Sequence, residues 1–232
     1  MPAKNSEKLY MSNGYYHIYN RGVEKRKIFL SDMDYGVFLS YLKEYLLPKD
    51  TKTLLTILGN QESSLQDKHE ATKLLRMNNF YGDITLIAYC LMPNHFHFLI
   101  HQNTSNAIDT FMNSMATRYT MYFNKKDKRV GPLYQSVYKA VLVRTDEQLL
   151  QLTKYIHRNS LELASKGHPF KGSPFTIQPS SYPEYLGLRN TTWVHPENIL
   201  KYFSKTNKFL SYKSFVNQDE STEVIREMLI DI

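Results

Sequence analysis

The chain has a single cysteine, Cys90, in 232 residues. That excludes an internal disulfide framework and a zinc site built on several thiolates. Long hydrophobic runs are missing as well. The longest nearly apolar stretch, Ile84 to Met92, is about half of the roughly 18 residues that a bilayer-spanning helix needs, so no transmembrane helix is expected. The opening run Met1-Pro2-Ala3-Lys4-Asn5-Ser6-Glu7-Lys8 holds no apolar h-region and does not read as a secretory signal. Acidic residues are outnumbered, 22 against 29 Lys and Arg, for a formal charge of +7 and a sequence pI near 9.2. A basic balance favours a polyanionic partner, nucleic acid first and an anionic membrane surface second. What is plentiful is apolar and aromatic: 42% apolar residues and 18 tyrosines. The apolar share is enough for a sizeable core and excludes a mostly disordered chain. The length suggests one to two domains. Tyr and Phe can stack on unpaired bases while Lys and Arg hold phosphates, although a buried Tyr more often serves a core edge. The expectation is a soluble intracellular protein.

Hydrophobic periodicity orders the chain. Residues 1–13 read as a loose arm and Tyr15–Asn20 as a strand. The turn at Arg21-Gly22 and the basic cluster Lys25-Arg26-Lys27 follow. Ser31 or Asp32 caps a helix running to Leu46, with Tyr35, Phe38, Leu39, Leu42 and Tyr45 on one face, and Pro48 stops it. Two short helical patterns near 51–59 and 67–76 lie in a segment, 48–82, that reads as an insertion. Asp83–Met92 and His95–Gln102 flank Pro93-Asn94 and form a hairpin. A helix over 105–124 carries an apolar stripe through Ile108, Phe111, Met112, Met115, Tyr119, Tyr122 and Phe123. The basic turn 125–129 precedes a strand over 131–143. Thr145 and Gln148 make a capping-box pattern opening a last long helix to Ala164, closed by Gly167 and Pro169. Residues 169–185 are expected to wrap the surface. Residues 191–232 hold a short aromatic helix near Ile199, Leu200, Tyr202 and Phe203 and an acidic end from Glu220. No internal repeat is visible. The order is an α+β, ferredoxin-like βαββαβ antiparallel sheet with an added C-terminal helix.

Two patterns carry chemistry. In His95-Phe96-His97-Phe98-Leu99-Ile100, period-two alternation puts Phe96, Phe98 and Ile100 toward a core and both imidazoles on the opposite face. At i and i+2 the histidines can share one metal ion, or they are buried histidines with ordinary hydrogen bonds. Two histidines and an oxygen ligand leave coordination positions open for substrate, which suits Mg²⁺- or Mn²⁺-assisted phosphoryl chemistry. On the last helix Tyr155 and Asn159 stand at i and i+4, on one face. Asn159 offers an oxygen as a third ligand. The Tyr155 phenol can attack a phosphodiester once its proton is removed, with Lys154 and Arg158 as local positive charges; the alternative is a core Tyr beside Leu149, Leu152 and Ile156. Tyr119 and Tyr122 are the competing phenols.

His95-x-His97 on a strand, this order of elements and Tyr155-x-x-x-Asn159 on the last helix resemble the single-tyrosine HUH transposases of small insertion sequences, the REP-associated tyrosine transposase branch in particular. Further matching pieces are Tyr16-His17-Ile18-Tyr19-Asn20-Arg21-Gly22, Leu91-Met92-Pro93-Asn94-His95, Tyr122-Phe123-Asn124-Lys125-Lys126, Gly131-Pro132-Leu133-Tyr134-Gln135 and Ser180-Ser181-Tyr182-x-x-Tyr185-Leu186-Gly187. The resemblance covers about residues 12–190. It departs at Ser160, where the family often has Pro, and at Ser136-Val137, where it often has Gly-Arg. It implies a transposase domain over 1–190 with 191–232 as a small C-terminal extension. It also implies a metal-dependent enzyme that nicks and joins single-stranded DNA through a 5′-phosphotyrosine at Tyr155. The divalent ion, Mg²⁺ or Mn²⁺, would be held by His95, His97 and Asn159. Single-stranded or hairpin DNA would be gripped by Arg21, Lys25, Arg26, Lys125, Lys126, Arg129, Lys139, Lys154 and Arg158. A homodimer is possible, no membrane is involved, and the expected location is cytoplasmic, near a prokaryotic-type nucleoid. The competing functions are a non-catalytic nucleic-acid-binding module, a domesticated transposase, or a metal-dependent phosphodiesterase that uses an activated water.

Overall fold

The computed structural model describes residues 8, 10–165, 179–218 and 223–229. Strand β1 (Gly14–Arg21) is followed by helices α1 (Asp32–Leu46), α2 (Thr51–Gly59) and α3 (Leu65–Arg76). The hairpin β2 (Ile84–Met92) and β3 (His95–Gln102) comes next, then α4 (Ala107–Lys126), β4 (Lys139–Val143) and α5 (Asp146–Ser165). Three short helices, α6 (Tyr182–Tyr185), α7 (Glu197–Leu200) and α8 (Tyr212–Asn217), complete the regular elements. The four strands form one sheet in the order β2-β3-β1-β4, and every pairing is antiparallel. This is the ferredoxin-like arrangement that the element order implies, with α5 added. Among the described residues no helix is long and apolar enough to cross a membrane.

The sheet is buried on both faces. Tyr16 and Ile18 of β1, and Phe96, Phe98 and Ile100 of β3, pack on α1 and α4 through Phe38, Leu42, Ile108, Phe111, Met115 and Tyr119. The other face carries Leu99 and Val143 and packs on Leu149, Leu152 and Ile156 of α5. The C-terminal residues Ile199, Tyr212, Val216, Ile225, Met228 and Leu229 join that second layer. Strand β2 serves both layers because its register shifts between Leu86 and Ala88. The extra residue sends Ile87 and Ala88 both toward the second layer while Leu86 and Tyr89 face the first. As an edge strand, β2 would otherwise leave unpaired backbone groups. Residues 179–181 cover it: Leu91 N–H donates to the Pro179 carbonyl at 2.9 Å and Ser181 N–H to Tyr89 at 3.0 Å. The expected surface wrapping over 169–185 is described only from 179 onward, and the helix stop at Gly167 and Pro169 lies outside the described residues.

Local chemistry explains the boundaries. The Asp34 carboxylate reaches back to the N–H groups of Leu30 (2.8 Å) and Ser31 (3.1 Å), starting α1 at Ser31. At α5 the Thr145 hydroxyl accepts from Gln148 N–H (3.1 Å), while Gln148 Oε1 accepts from Arg144 N–H (2.8 Å), one residue before the cap. One expectation is corrected: the strand expected over 131–143 begins at Lys139. Gly131 takes φ +88°, Pro132 has no N–H, and Leu133 and Tyr134 turn into the first core layer, leaving a single bridge between Gly22 and Tyr134. In the segment read as an insertion, α2 buries no residue and α3 only Ala71.

Asp34 ties the first layer together. Its side chain is buried and accepts from the Tyr122 hydroxyl (3.0 Å) and from the Lys126 ammonium, joining α1 to both ends of the α4 C-terminal turn. Burial by itself would raise its pKa. The Lys126 ammonium, the Leu30 N–H and the Tyr122 hydroxyl outweigh that and hold it below the ordinary carboxylate value. Replacing Asp34 by Ala strands the Lys126 and Tyr122 partners and is expected to lower the unfolding free energy by about 3 kcal/mol in urea denaturation. Because the folded pKa is depressed, Asp34 contributes fully above the unfolded-state pKa of about 3.9 and its contribution fades as pH falls through the folded value. The stability gap between the unchanged protein and Asp34→Asn should therefore narrow in acid; a gap that is flat from neutral pH to pH ~2 contradicts this assignment.

Candidate active site

Alternation places His95, His97, Leu99 and His101 of β3 on the face away from α1 and α4, as the pattern predicts. Tyr15, His17, Tyr19 and Arg21 of β1 lie on the same face. In the β1–β3 pairing His95 stands opposite Arg21 and His97 opposite Tyr19, which in turn stands opposite Lys139 of β4. Opposed residues of an antiparallel pair project to one side. Arg21 and Lys139 therefore flank the two imidazoles at the end of the sheet that holds the β2–β3 turn.

The His95 and His97 ring centroids are 4.9 Å apart at 88°. Tyr155, half-buried on α5, meets the His97 ring edge-on, with 5.4 Å between centroids and an 83° interplanar angle. The histidine strand and the tyrosine helix thus meet within a single chain. Asn159 lies one turn beyond Tyr155 on the same helix face. Among the described residues its hydrogen bond is to its own helix: Nδ2 donates to the Tyr155 carbonyl at 2.9 Å, which leaves the amide oxygen for another donor or an ion.

A third histidine joins the group. His17, completely buried, stacks on His97 at 5.2 Å and 17°, and its edge also faces Tyr155 at 6.4 Å. Its Nε2 is 3.0 Å from His97 Nδ1, and its Nδ1 is 2.9 Å from the Met228 carbonyl. Burial depresses the His17 pKa to about 3, with the Met228 hydrogen bond opposing and His95 adding slightly. Burial also holds His97 well below the usual imidazole value, helped by His95, His17 and Arg21. Both rings are neutral at physiological pH, the state in which imidazole binds metal. The strand pattern read only the i, i+2 pair. His17 stood in the matching segment Tyr16-His17-Ile18-Tyr19-Asn20 with no role, because its partner is 80 residues away across the β1–β3 pairing.

Do these residues fit a hard divalent ion? Nε2 of His97 is buried with no hydrogen-bond partner among the described residues. A buried nitrogen lone pair without a donor is a ready ligand position. Asn94 sets up the neighbouring ring. Its Nδ2 donates to the Lys25 carbonyl (3.1 Å), so its oxygen faces His95 Nδ1 at 2.6 Å and makes that nitrogen the donor. The donor set fits an ion held by two imidazoles and an amide oxygen, with positions left for substrate. Among the described residues no group of three or more His, Cys, Asp and Glu side chains could hold a metal. A site here would therefore depend on Asn159 and substrate oxygens for its remaining ligands.

The Asn94 turn is built by a tight approach. Gly22 N–H donates to the Asn94 carbonyl at 2.8 Å, and a Cβ on Gly22 would meet the Arg26 carbonyl at 2.3 Å. Glu24 and Lys25 both take left-handed backbone conformations, φ 55° and 58°, beside it. Lys25 is exposed at this corner, and Arg26 pairs with Glu24 at 3.0 Å. Lys125 is exposed at the end of α4, Lys126 is held by Asp34, and Arg129 is tied to the Asn124 side chain at 2.9 Å. Two of the expected DNA-contact residues are engaged within the protein. Lys154 is buried at 2% exposure with its ammonium over the Phe215 ring, and Arg158 donates to the Gln218 carbonyl at 2.7 Å. Both point to the C-terminal segment, because the helix turn that carries them is covered by α8. The competing phenols are on the wrong side of the sheet for the histidines. Tyr119 is buried in the first layer and donates to the Ile28 carbonyl at 2.7 Å, and Tyr122 donates to Asp34; burial raises both pKa values far above that of a free phenol. At the departure from the family pattern, Ser160 is buried and its hydroxyl donates to the His157 carbonyl at 2.6 Å, so α5 continues unbroken past Asn159.

The family model described as "Transposase IS200 like" matches residues 60–159. No curated protein matches the chain. Among solved structures, a REP-associated tyrosine transposase bound to a REP hairpin aligns at 9% identity with a TM-score of 0.44, over 82% of this chain and 95% of that one. A candidate transposase from Deinococcus radiodurans R1 aligns at 15% identity with a TM-score of 0.27, over 68% of this chain and 97% of that one. The matched span contains His95, His97, Tyr155 and Asn159. The similarity to the IS200-like transposase model therefore spans residues 60–159, from α3 through β2, β3, α4 and β4 to the Asn159 turn of α5.

Proposed function

We propose that the protein is a DNA transposase that nicks and rejoins single-stranded DNA at hairpin-forming sequences, with Tyr155 as the nucleophile. The observation that carries this reading is the edge-on contact of Tyr155 with His97 at 5.4 Å, beside His95 and on the sheet face to which the register assigns Arg21 and Lys139. A phenol, two imidazoles and two cationic side chains stand at one end of the sheet. His95, His97 and Asn159 would hold a divalent ion, Mg²⁺ or Mn²⁺, which would supply charge neutralisation for the transferred phosphate. Arg21 and Lys139 hold the DNA backbone over the histidine face. Tyr155 Oη, having lost its proton, forms a bond to phosphorus as the bond from phosphorus to the 3′ oxygen breaks; that oxygen takes up a proton and leaves as a 3′-hydroxyl. The phosphotyrosine keeps a phosphodiester's free energy, so a second 3′-hydroxyl can displace Tyr155 and join strands. Positioning and charge complementarity carry most of the acceleration in such transfers. Because His97 and Tyr155 touch within one chain, the reaction needs no tyrosine from a second copy, and a homodimer is optional. The setting we propose is the cytoplasm, at the nucleoid.

Tyr155→Phe is expected to bind a labelled hairpin with flanking single strand within about twofold of the unchanged protein. It should form no covalent band on a denaturing gel; a persisting band sinks the assignment, and cleavage without any band in the unchanged protein points to an activated water instead. His97→Ala, or chelation of the unchanged protein, should lower Mn²⁺-dependent cleavage by about a hundredfold or more. Undiminished cleavage in His97→Ala would move the ion elsewhere. Arg21→Ala and Lys139→Ala should each weaken binding and reduce the slope of log affinity against log salt by about 0.7, the value for one phosphate contact on a single strand. An unchanged slope would remove that residue from the interface.

A further inference from the structure

The histidine that the sequence left without a role stands between the metal-site candidate His97 and the end of the chain. We propose that His17 is a positioning residue that fixes the tautomer of His97, and that the Met228 carbonyl fixes His17 in turn. A carbonyl oxygen only accepts, so the 2.9 Å contact to Met228 makes His17 Nδ1 the donor. In a neutral ring the proton is then absent from His17 Nε2, which faces His97 Nδ1 at 3.0 Å as an acceptor. His97 Nδ1 must supply the proton of that bond. The remaining nitrogen of His97, Nε2, is left as a bare lone pair, and it is the buried atom without a hydrogen-bond partner among the described residues. The other tautomer would set two lone pairs against each other at 3.0 Å and bury an Nε2–H with no acceptor, which is costly.

The relay is held from both ends. His17 sits in the centre of β1, completely buried, and pairs through its backbone with Leu99 of β3. Met228 ends a short 3₁₀ turn over Glu223–Met228, whose Ile225 and Met228 side chains, with Leu229, are buried in the second core layer against α5. The carbonyl is thereby aimed by packing. A histidine that ligates a metal is commonly oriented by a hydrogen bond to its other nitrogen, and losing that bond typically weakens binding 10–100-fold. Here the orienting group is a second histidine, backed by the C-terminal segment. The consequence for metal affinity rests on the proposed ion ligation by His97; the tautomer itself does not.

The direct test is ¹⁵N-histidine NMR on the full-length, metal-free protein, with long-range ¹H–¹⁵N correlations assigning which ring nitrogen bears the proton. Both His17 and His97 should be the Nδ1–H tautomer; a His97 ring protonated at Nε2 overturns the proposal. The second test is Mn²⁺ titration by calorimetry. His17→Phe, which cannot accept, should weaken Mn²⁺ binding about tenfold or more, whereas His17→Gln, whose amide oxygen can accept from His97 Nδ1–H, should recover most of it. Thermal melts show whether each variant is folded. Wild-type affinity in His17→Phe, with affinity lost in His97→Ala, overturns the proposal. Unchanged affinity in His97→Ala instead removes the ion from this site, and the NMR result still decides the tautomer.

Discussion

The alternation of β3 is the constraint on which the rest of the molecule depends. Phe96, Phe98 and Ile100 are buried against α1 and α4, while His95, His97 and Leu99 look the other way. A one-residue slip would exchange every phenylalanine for a histidine in the first core layer, so hydrophobic burial enforces the register strongly. The same register decides which side chains surround the histidines, because β3 is central and pairs along its length with both β1 and β2. The pairing with β1 brings Arg21 opposite His95 and, through Tyr19, draws Lys139 of β4 into line with His97. The site geometry is therefore set by the packing of apolar residues on the far side of the sheet.

Burying polar groups this deeply carries a desolvation cost, and the structure meets it with chains of hydrogen bonds. His17 is satisfied at both nitrogens, His157 lies between the Tyr212 hydroxyl at 2.6 Å and Ser181 Oγ at 2.8 Å, and Glu184 is matched by Arg189 at 2.6 Å. The His97 Nε2 atom departs from that pattern. Beside His17 and His157, each paired at both nitrogens, a buried lone pair with no donor is what a ligand position requires. The C-terminal residues contribute to this order: Tyr212 binds His157, Phe215 covers Lys154, Gln218 takes Arg158 and Met228 holds His17. They form the outer wall of the layer that carries Tyr155.

Much of this was legible in the sequence. The order of strands and helices, the two faces of β3, the cap at Ser31 and the Tyr155–Asn159 spacing all follow from short-range periodicity, which is fixed by the 2.0 and 3.6 repeats of strand and helix. The start of β4 was misread because Gly131 to Tyr138 has an extended, apolar look but turns into the core instead of pairing. The surroundings of Lys154 and Arg158 were not legible for a different reason: the C-terminal segment that meets their helix face is about 60 residues away in sequence.

By itself, then, the sequence determined the α+β architecture, the pair His95 and His97 on one strand face, and the phenol and amide one helical turn apart. Tertiary structure decided which of those groups meet. It set Tyr155 against His97 across the second layer, put Tyr119 and Tyr122 behind the sheet, and brought His17 and the Met228 carbonyl together from 211 residues apart. Such contacts depend on strand order, on the β2 register shift and on which segment closes the layer. Each of these is a long-range packing outcome with no local periodicity to announce it.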